Sequence, residues 1–381
     1  MTDFETVRAH FPHADRFLYC NHAANGPMGT HVHAAVQAYI DQRRDEGTEK
    51  FDGLLDKMDE CGQWGAQLMH APGGTVGLVP HTSYGLSIAA QGIDWREGDH
   101  VLVGRGEFPS NVFPFMQLAD QGVIVDFFDL DDGRIDLETL AAALHPRTRM
   151  IAVSWVQYIS GAVVDLATLA EMAHQRGAKL VVDVIQGLGA LPLDVLETGV
   201  DAAVAGGHKW MMASAGMGLM YMEQDWLRTL KSPLGWLHGP VDWDNLDRYT
   251  ITYFDDARKL LTGSPNIMGM LALHASLERQ LAWGPEAMAE RTLENASILA
   301  GGLRERGFAP IGLPSDAEPA SGIVSIRIPE PDAVRAQLMD RGVETAVRNQ
   351  CLRFSPAHYQ RTDEMMAVLD VFDQVRDVAS L

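Results

Sequence analysis

Residues 179–210 read KLVVDVIQGLGALPLDVLETGVDAAVAGGHKW and contain two short apolar runs, KLVVDV and DAAVAG. The first run carries Asp183 near its end, and the second leads into Lys209. A carboxylate at the carboxyl end of a parallel strand points into the cleft where ligands bind, and its burial there is costly without a cation nearby. Lys209 reaches the same rim from the next strand. The segment therefore predicts either an ion pair at the sheet edge or the charged pair of a binding site.

The same alternation of strand and helix patterns fills the first two thirds of the chain. Segments between the apolar runs, such as 136–145 and 165–177, carry apolar residues at the i, i+3, i+4 spacing of a helix. The apolar runs themselves lie at 75–79, 100–104, 123–128, 150–156, 179–184, 201–206 and 216–222. This pattern predicts an α/β domain with a mostly parallel, seven-stranded sheet that has helices on both faces.

The pattern changes after LTGSPN, residues 261–266. A long helical region is followed by two further apolar runs, SGIVSIRIP and CLRFSP, and by a last helix. We expect a large domain over residues 20–262 and a smaller α+β domain formed by residues 1–19 and 263–381.

Composition excludes several classes of function. A formal net charge of −21 disfavours nucleic-acid binding, and no apolar run approaches the roughly 18 residues that a membrane span needs. Cys20, Cys61 and Cys351 are odd in number and widely spaced, so we expect neither disulfides nor a metal site. The acidic N-terminal segment does not resemble a secretory signal, and the cytoplasm is the expected location.

A lysine and a carboxylate on neighbouring strand ends are two of the three parts of a pyridoxal 5'-phosphate site. The amine forms a Schiff base, and the carboxylate keeps the ring nitrogen protonated so that the ring can accept electrons. The third part is a phosphate cradle, which Thr82 and Ser83 could form at the start of a helix. Simple N-capping of that helix is the alternative role for these two residues.

Seven motifs occur along the chain in a characteristic order: HTS, EFPSNVFPF, SWVQYISG, VVDVIQG, GGHKW, LTGSPN and LRFSPAHY. Together they resemble the class V aminotransferase family of fold-type I pyridoxal-phosphate enzymes, which includes cysteine desulfurases, selenocysteine lyase, kynureninase and isopenicillin N epimerase. The resemblance extends from about residue 19 to the final helix.

The resemblance implies a role for each matching cofactor residue. Lys209 would form the Schiff base, Asp183 would pair with the ring nitrogen, and Gln186 would contact the phenolic oxygen of the ring. Phe108 would stack on the ring. Gln157 would lie near the phenolic oxygen. Four residues would contact the phosphate: Thr82, Ser83, His208 and Thr262. Because the family's counterpart of Thr262 reaches the phosphate of the neighbouring subunit, a homodimer with shared active sites is expected.

The resemblance also implies that Arg353 binds the α-carboxylate of an amino-acid substrate, with Asn25 and Arg348 lining the pocket. A planar guanidinium can hold a carboxylate through two parallel hydrogen bonds. Two positions depart from the family pattern. Gly206 stands where many cysteine desulfurases have a phosphate-binding serine. Cys351 lies two residues before Arg353, without the mobile loop that carries the reactive cysteine of a desulfurase.

These residues predict an enzyme that acts at the Cα of an amino acid by transamination or by C–S or other β-elimination. Epimerisation and cysteine desulfuration are alternatives within the same family. A nucleotide-dependent dehydrogenase is an alternative from another class, but GLGALP, residues 187–192, fails the G-x-G-x-x-G fingerprint at its third glycine. A binding protein with an inactive cofactor site is the remaining alternative.

Overall fold

The computed structural model describes residues 2–47 and 51–375. The described strands are β1 (Leu18–Tyr19), β2 (Val76–Val79), β3 (His100–Arg105), β4 (Ile124–Asp129), β5 (Thr148–Ser154), β6 (Lys179–Asp183), β7 (Ala202–Gly206), β8 (Gly218–Met222), β9 (Val324–Arg327), β10 (Val343–Glu344), β11 (Ala346–Arg348) and β12 (Cys351–Phe354). The described α-helices are α1 (Phe4–Arg8), α2 (Thr30–Glu46), α3 (Phe51–Leu68), α4 (Thr82–Gln91), α5 (Phe113–Met116), α6 (Leu137–Ala143), α7 (Leu166–His174), α8 (Val195–Thr198), α9 (Gln224–Thr229), α10 (Ile267–Trp283), α11 (Pro285–Glu305), α12 (Pro331–Asp340) and α13 (Thr362–Asp373).

A seven-stranded sheet forms the centre of the described chain, in the order β2-β8-β7-β6-β5-β3-β4. Strands β3 to β7 pair in parallel, whereas β8 runs antiparallel to both of its neighbours. The prediction of an α/β fold with a mostly parallel, seven-stranded sheet is therefore confirmed. Because β5, β6 and β7 are adjacent and parallel, their carboxyl ends lie together at one edge of the sheet.

The sheet separates two apolar cores, which explains why its central strands are apolar at nearly every position. Successive side chains along a strand point to opposite faces. Accordingly Val182 packs in the core that contains α3 and α10, while Val181 packs in the core that contains α4 and α9. Both valines are fully buried.

A smaller unit is built on the antiparallel sheet β11-β12-β9 and helices α11 to α13. Its separate core includes Leu352, Phe354 and Phe372. The N-terminal segment joins this unit because β1 pairs in parallel with β10, with Leu18 opposite Val343. The structure thus contains an α+β unit of the expected kind, while the exact domain boundaries at residues 20 and 262 stay a prediction.

Candidate active site

Lys209 lies just beyond the end of β7, where the carboxyl ends of the parallel strands meet. Its side chain is partly buried, and its ammonium nitrogen lies 5.7 Å from the ring centroid of Phe108. Burial lowers the pKa of Lys209 to about 8; Asp183 opposes this shift, while Arg353 and Arg348 add to it. The neutral fraction of the amine near physiological pH is therefore larger than for an exposed lysine, and the neutral amine is the nucleophile.

Asp183 ends β6 and is 3% exposed. One of its carboxylate oxygens accepts a hydrogen bond from the backbone N–H of Ile185 at 3.0 Å. Burial raises the pKa of Asp183 to about 6, and the hydrogen bond from Ile185 and the nearby Lys209 limit the rise. At neutral pH this carboxylate is a buried negative charge that gains from a cationic partner, such as a protonated ring nitrogen.

Phe108 forms one wall of the cleft. It is 43% exposed although it is a large apolar side chain, and its ring meets that of Tyr158 edge to face at 5.3 Å between centroids. An exposed aromatic face beside Lys209 suits stacking against a planar ring. This placement agrees with the expected stacking role, which stays a prediction.

The N-terminus of α4 forms a cluster of hydroxyl groups at the same end of the sheet. The Thr82 hydroxyl accepts the backbone N–H of Gly206 at 2.9 Å and keeps its own proton to donate. The Ser83 hydroxyl lies 2.7 Å from that of Ser110, so one proton of that pair is also left to donate. Hydroxyl donors at a helix N-terminus fit a phosphate group. The Gly206 N–H, by contrast, is already used by Thr82.

The N-terminal segment crosses directly over the Lys209 loop. The backbone N–H of Gly26 donates to the carbonyl of His208 at 2.8 Å. A Cβ at position 26 would lie 2.0 Å from the carbonyl oxygen of Lys209, so only glycine fits there. The side chain of His208 is partly buried, and burial followed by the Lys209 charge lowers its pKa.

Gln186 and Gln157 are both 2% exposed but differ in their contacts. Gln186 donates to the carbonyl of Ala23 and accepts from the indole N–H of Trp210, both at 3.0 Å. The amide nitrogen of Gln157 is buried without a hydrogen-bond partner. Gln157 therefore has a donor available to a ligand, whereas Gln186 has only its second amide hydrogen. Their expected roles at the phenolic oxygen stay predictions.

Arg353, on β12, carries the strongest indication of a bound anion. The side chain is 1% exposed; one Nη donates to the carbonyl of Tyr158, but Nε and the other Nη have no partner. Burial, with a smaller contribution from Arg348, lowers the pKa of Arg353 to about 9. A buried guanidinium with two unpartnered donors is costly unless a ligand supplies the acceptors. A substrate carboxylate fits those donors.

The other predicted site residues lie farther out. Asn25 and Arg348 are exposed, and Arg348 donates to the carbonyl of Val347 at 2.7 Å. Thr262 is partly exposed and lines a cleft of about 220 Å³ together with Tyr84 of α4. In the single chain Thr262 does not complete the hydroxyl cluster at Thr82, and its role toward a neighbouring subunit stays a prediction.

The three cysteines are all buried. Burial raises the pKa of Cys20 and of Cys61 to about 12, and it also raises the pKa of Cys351. A reactive thiol needs exposure and a lowered pKa, and these thiols have neither. Among the described residues, no group of three or more His, Cys, Asp or Glu side chains is arranged to hold a metal ion.

A hydrogen-bond network centred on the buried His22 supports the N-terminal segment that crosses over the Lys209 loop. The ring of His22 stacks on Trp210 at 5.7 Å, and burial lowers its pKa to about 3. His22 Nδ1 lies 2.8 Å from the carbonyl of Ser355, so Nδ1 carries the proton and Nε2 accepts from the Tyr359 hydroxyl at 2.9 Å. The Tyr359 oxygen in turn accepts from His13 at 3.0 Å. The network links the small unit to the active-site loop.

Comparison with known proteins identifies the family. The family model for Aminotransferase class-V matches residues 30–381. The chain belongs to the class V aminotransferase family. Members of this family are pyridoxal-phosphate-dependent enzymes, and the predictions of the family, of enzymatic function and of this cofactor are confirmed. The class V assignment also disfavours the dehydrogenase alternative.

Relatives of this class V chain include desulfurases and aminotransferases. A probable cysteine desulfurase of Methanothermobacter thermautotrophicus is 29% identical over 279 residues, covering 72% of this chain and 69% of the relative. An uncharacterized aminotransferase of Bacillus subtilis is 24% identical and covers 96% of both chains. The crystal structure of the Escherichia coli cysteine desulfurase CsdA superposes with a TM-score of 0.85, at 22% identity over the whole of both chains. A cystine C–S lyase solved with cysteine persulfide gives a TM-score of 0.86 at 21% identity, over 95% of this chain and 99% of that one.

The structure also adds residues that sequence reasoning missed. Ser110 joins the hydroxyl cluster, Gly26 covers the Lys209 loop, and Glu107 lies buried beside the Phe108 turn. Glu107 and Ser110 lie with Phe108 in the EFPSN motif. The motif indicated that this segment belongs to the site, but it did not show that Glu107 is buried. Gly26 follows Asn25 in NGP, where a glycine alone does not reveal what it contacts.

Proposed function

We propose that the protein is a pyridoxal-phosphate-dependent lyase that cleaves the C–S or other β-substituent bond of a free α-amino acid and releases an α-keto acid. The observation that carries this proposal is the buried guanidinium of Arg353, which has two donor groups without a partner and lies on the same rim as Lys209 and Asp183. It supplies a place for an α-carboxylate next to a base and a buried counter-charge. Relatives named cysteine desulfurases support a sulfur-containing substrate.

Each residue contributes one step to this chemistry. When bound, pyridoxal 5'-phosphate supplies an electron sink that makes the Cα–H bond of an amino acid acidic. Arg353 orients the α-carboxylate, and the amine of Lys209, with its lowered pKa, takes the Cα proton. Asp183 would pair its negative charge with the ring nitrogen of the bound cofactor, and Phe108 would shield one face of the ring from water. Thr82 and the Ser83–Ser110 pair would hold the phosphate through the two hydroxyl protons that they have left to donate.

The buried thiols favour elimination over desulfuration. A desulfurase moves sulfur onto a cysteine of its own chain, which requires an accessible thiolate. Cys351 is 1% exposed, and its thiol lies 3.4 Å from the carbonyl of Asn349. Arg327 lies beside that thiol, but burial outweighs this cation and the pKa of Cys351 stays raised. Without an acceptor thiol, the β-substituent leaves together with its sulfur atom, and the product is a keto acid rather than alanine.

We also propose a homodimer with shared active sites. The segment before Thr262 exposes many large apolar side chains, a pattern typical of an interaction surface. They are Leu234, Trp236, Trp243, Leu246, Tyr249 and Ile251. A second copy packed on this surface would bring Thr262 toward the phosphate site of its neighbour.

Among the described residues, no helix is long and apolar enough to cross a membrane. The three unpaired cysteines favour the cytoplasm, where thiols stay reduced.

Product analysis tests this proposal. The purified chain, loaded with pyridoxal phosphate, is incubated with cysteine, cystine and a panel of other amino acids, and keto acid, ammonia, sulfide and alanine are measured. Elimination predicts keto acid and ammonia in equal amounts, with activity retained in Cys351→Ala. Alanine as the main product, lost in Cys351→Ala, would contradict the proposal and support a desulfurase. Keto acid formed without ammonia, together with conversion of the cofactor to its amine form, would show an aminotransferase instead.

A further inference from the structure

A second buried carboxyl group lies beside Asp183 and has no part in the mechanism above. Glu107 precedes Phe108 and is 5% exposed. Its Oε1 accepts the backbone N–H of Ser154 at 2.8 Å, and its Oε2 shares a hydrogen bond with the Ser154 hydroxyl. Two hydrogen bonds to one residue therefore fasten the turn that carries Phe108 to the end of β5.

Ser154 also lies next to Asp183. The two residues are register partners in the parallel pairing of β5 with β6, and the following N–H, of Trp155, donates to the Asp183 carbonyl at 3.0 Å. Strand β5 lies between β3 and β6, so Glu107, just after β3, and Asp183, at the end of β6, lie on either side of Ser154. The negative charge of Asp183 acts on Glu107 at this site and favours the protonated form of Glu107.

The surroundings decide which of the two keeps the proton. Lys209 faces Asp183 and favours its ionised form. The other groups near Glu107 are the phenol of Tyr158 and the amide of Asn111, which approaches it without a hydrogen bond of good geometry. Neither is a cation. Burial raises the pKa of Glu107 to about 7, and the charge of Asp183 adds to the rise despite the hydrogen bonds from Ser154.

We propose that Glu107 is a positioning residue that keeps the proton of this carboxyl pair, so that the negative charge stays on Asp183 while Phe108 is held over Lys209. The inference rests on the proposed function for the roles of Asp183 and Phe108. With Glu107 ionised, the Ser154 hydroxyl donates to Oε2. A protonated Glu107 still accepts the Ser154 N–H through one oxygen, and it reverses the second hydrogen bond by donating to the Ser154 hydroxyl through the other. Both contacts are therefore kept in the neutral form.

Glutamine reproduces this neutral form, which gives a matched pair of variants. Glu107→Gln has one oxygen for the Ser154 N–H and one N–H for the Ser154 hydroxyl, and it carries no proton to lose. Glu107→Leu keeps a similar volume but leaves the buried Ser154 N–H unpaired. Glu107→Gln therefore keeps the hydrogen bonds to Ser154 but has no proton to titrate, whereas Glu107→Leu loses both the hydrogen bonds and the titratable proton.

The protonation is tested by infrared difference spectroscopy on the full-length chain without cofactor. At about pH 6.5, between the pKa of Asp183 and that of Glu107, the C=O stretch of protonated carboxyl groups should be stronger in the wild-type protein than in Glu107→Gln, because only the wild type has the Glu107 proton. In Asp183→Asn the titration of this band should move to lower pH, because the neighbouring negative charge is gone. An unchanged band in Glu107→Gln, or an unchanged titration in Asp183→Asn, would overturn the proposal.

The anchoring is tested by titrating the apoprotein with pyridoxal phosphate. The Kd of Glu107→Gln should stay within about 2-fold of the wild-type value, and that of Glu107→Leu should rise by about 5- to 10-fold, because Phe108 is no longer held in place to stack on the cofactor ring. Equal affinities in the two variants would refute the anchoring. If Glu107→Leu does not fold, Glu107→Asp, which is too short to reach both Ser154 groups, should show the same loss at smaller amplitude. A wild-type chain that binds no cofactor would contradict the proposed function, while the infrared result would still decide where the proton lies.

Discussion

Replacing Asp183 by asparagine should stabilise the apoprotein while it removes most of the activity. Burial raises the pKa of Asp183 from 3.8 to about 6, so the folded chain holds this proton more tightly than the unfolded chain. The stability that this group contributes therefore falls as pH rises from 3.8 to about 6, by at most about 3 kcal/mol. Asparagine carries no charge and can still accept the Ile185 N–H. At neutral pH, Asp183→Asn should regain up to that amount.

The expected shift is measurable by calorimetry. With an unfolding entropy of about 2.1 cal/mol/K per residue, 3 kcal/mol in this chain corresponds to a rise in Tm of about 4 °C. The difference between variant and wild type should disappear below about pH 4, where Asp183 is protonated in both states. Comparison at one protein concentration removes the contribution of subunit association.

Activity should change in the opposite direction. A hydrogen bond to a charged group contributes about 1.5–3 kcal/mol, so loss of the charge on Asp183 should lower kcat by roughly 10- to 150-fold. An Asp183→Asn apoprotein that is less stable than wild type at neutral pH, or a cofactor-loaded variant with unchanged kcat, would refute this reasoning. The first result would mean that Asp183 is a structural ion pair with Lys209 that is favourable without cofactor.

Three further substitutions test separate parts of the site. Gly26→Ala should abolish cofactor binding because its Cβ would lie 2.0 Å from the Lys209 carbonyl, whereas the control Gly53→Ala, with open space around it, should bind normally; equal binding would contradict the close approach. Tyr359→Phe should lower Tm by roughly 1–4 °C, because it leaves the buried Nε2 of His22 unpaired, and an unchanged Tm would argue against the network. Arg348→Gln should raise KM more for substrates with a second carboxylate than for neutral ones, since it removes a positive charge that acts on the pocket; parallel changes in KM would exclude that role.

The fold could be predicted from the sequence because its strands are short, apolar and regularly spaced. Val181 and Val182 face opposite cores, and such continuous apolar runs are the signature of a sheet covered on both faces. The juxtaposition of Lys209 and Asp183 could also be predicted, since Asp183 ends one parallel strand, Lys209 follows the next, and both strands end at one edge of the sheet. Their proximity is a consequence of parallel topology rather than of distance along the chain.

Other parts of the site depend on contacts that no local pattern reveals. Glu107 meets Ser154 across 47 positions, and His22 meets Ser355 across 333. Before folding, a glutamate in a turn gives no sign of burial, and the usual expectation is a solvated side chain. The use of the Gly206 N–H by Thr82 was equally hidden, because it joins residues 124 positions apart.

We expect Lys209 to bind the cofactor covalently at the edge formed by β6 and β7. The most direct test of this covalent bond is borohydride reduction of the chain loaded with pyridoxal phosphate, followed by proteolysis and mass spectrometry of the labelled peptide. We expect the yellow colour to be bleached and the pyridoxyl mass to lie on Lys209 alone, with no labelling of Lys209→Ala. A label on another lysine, or a chain that takes up no pyridoxal phosphate, would contradict the account.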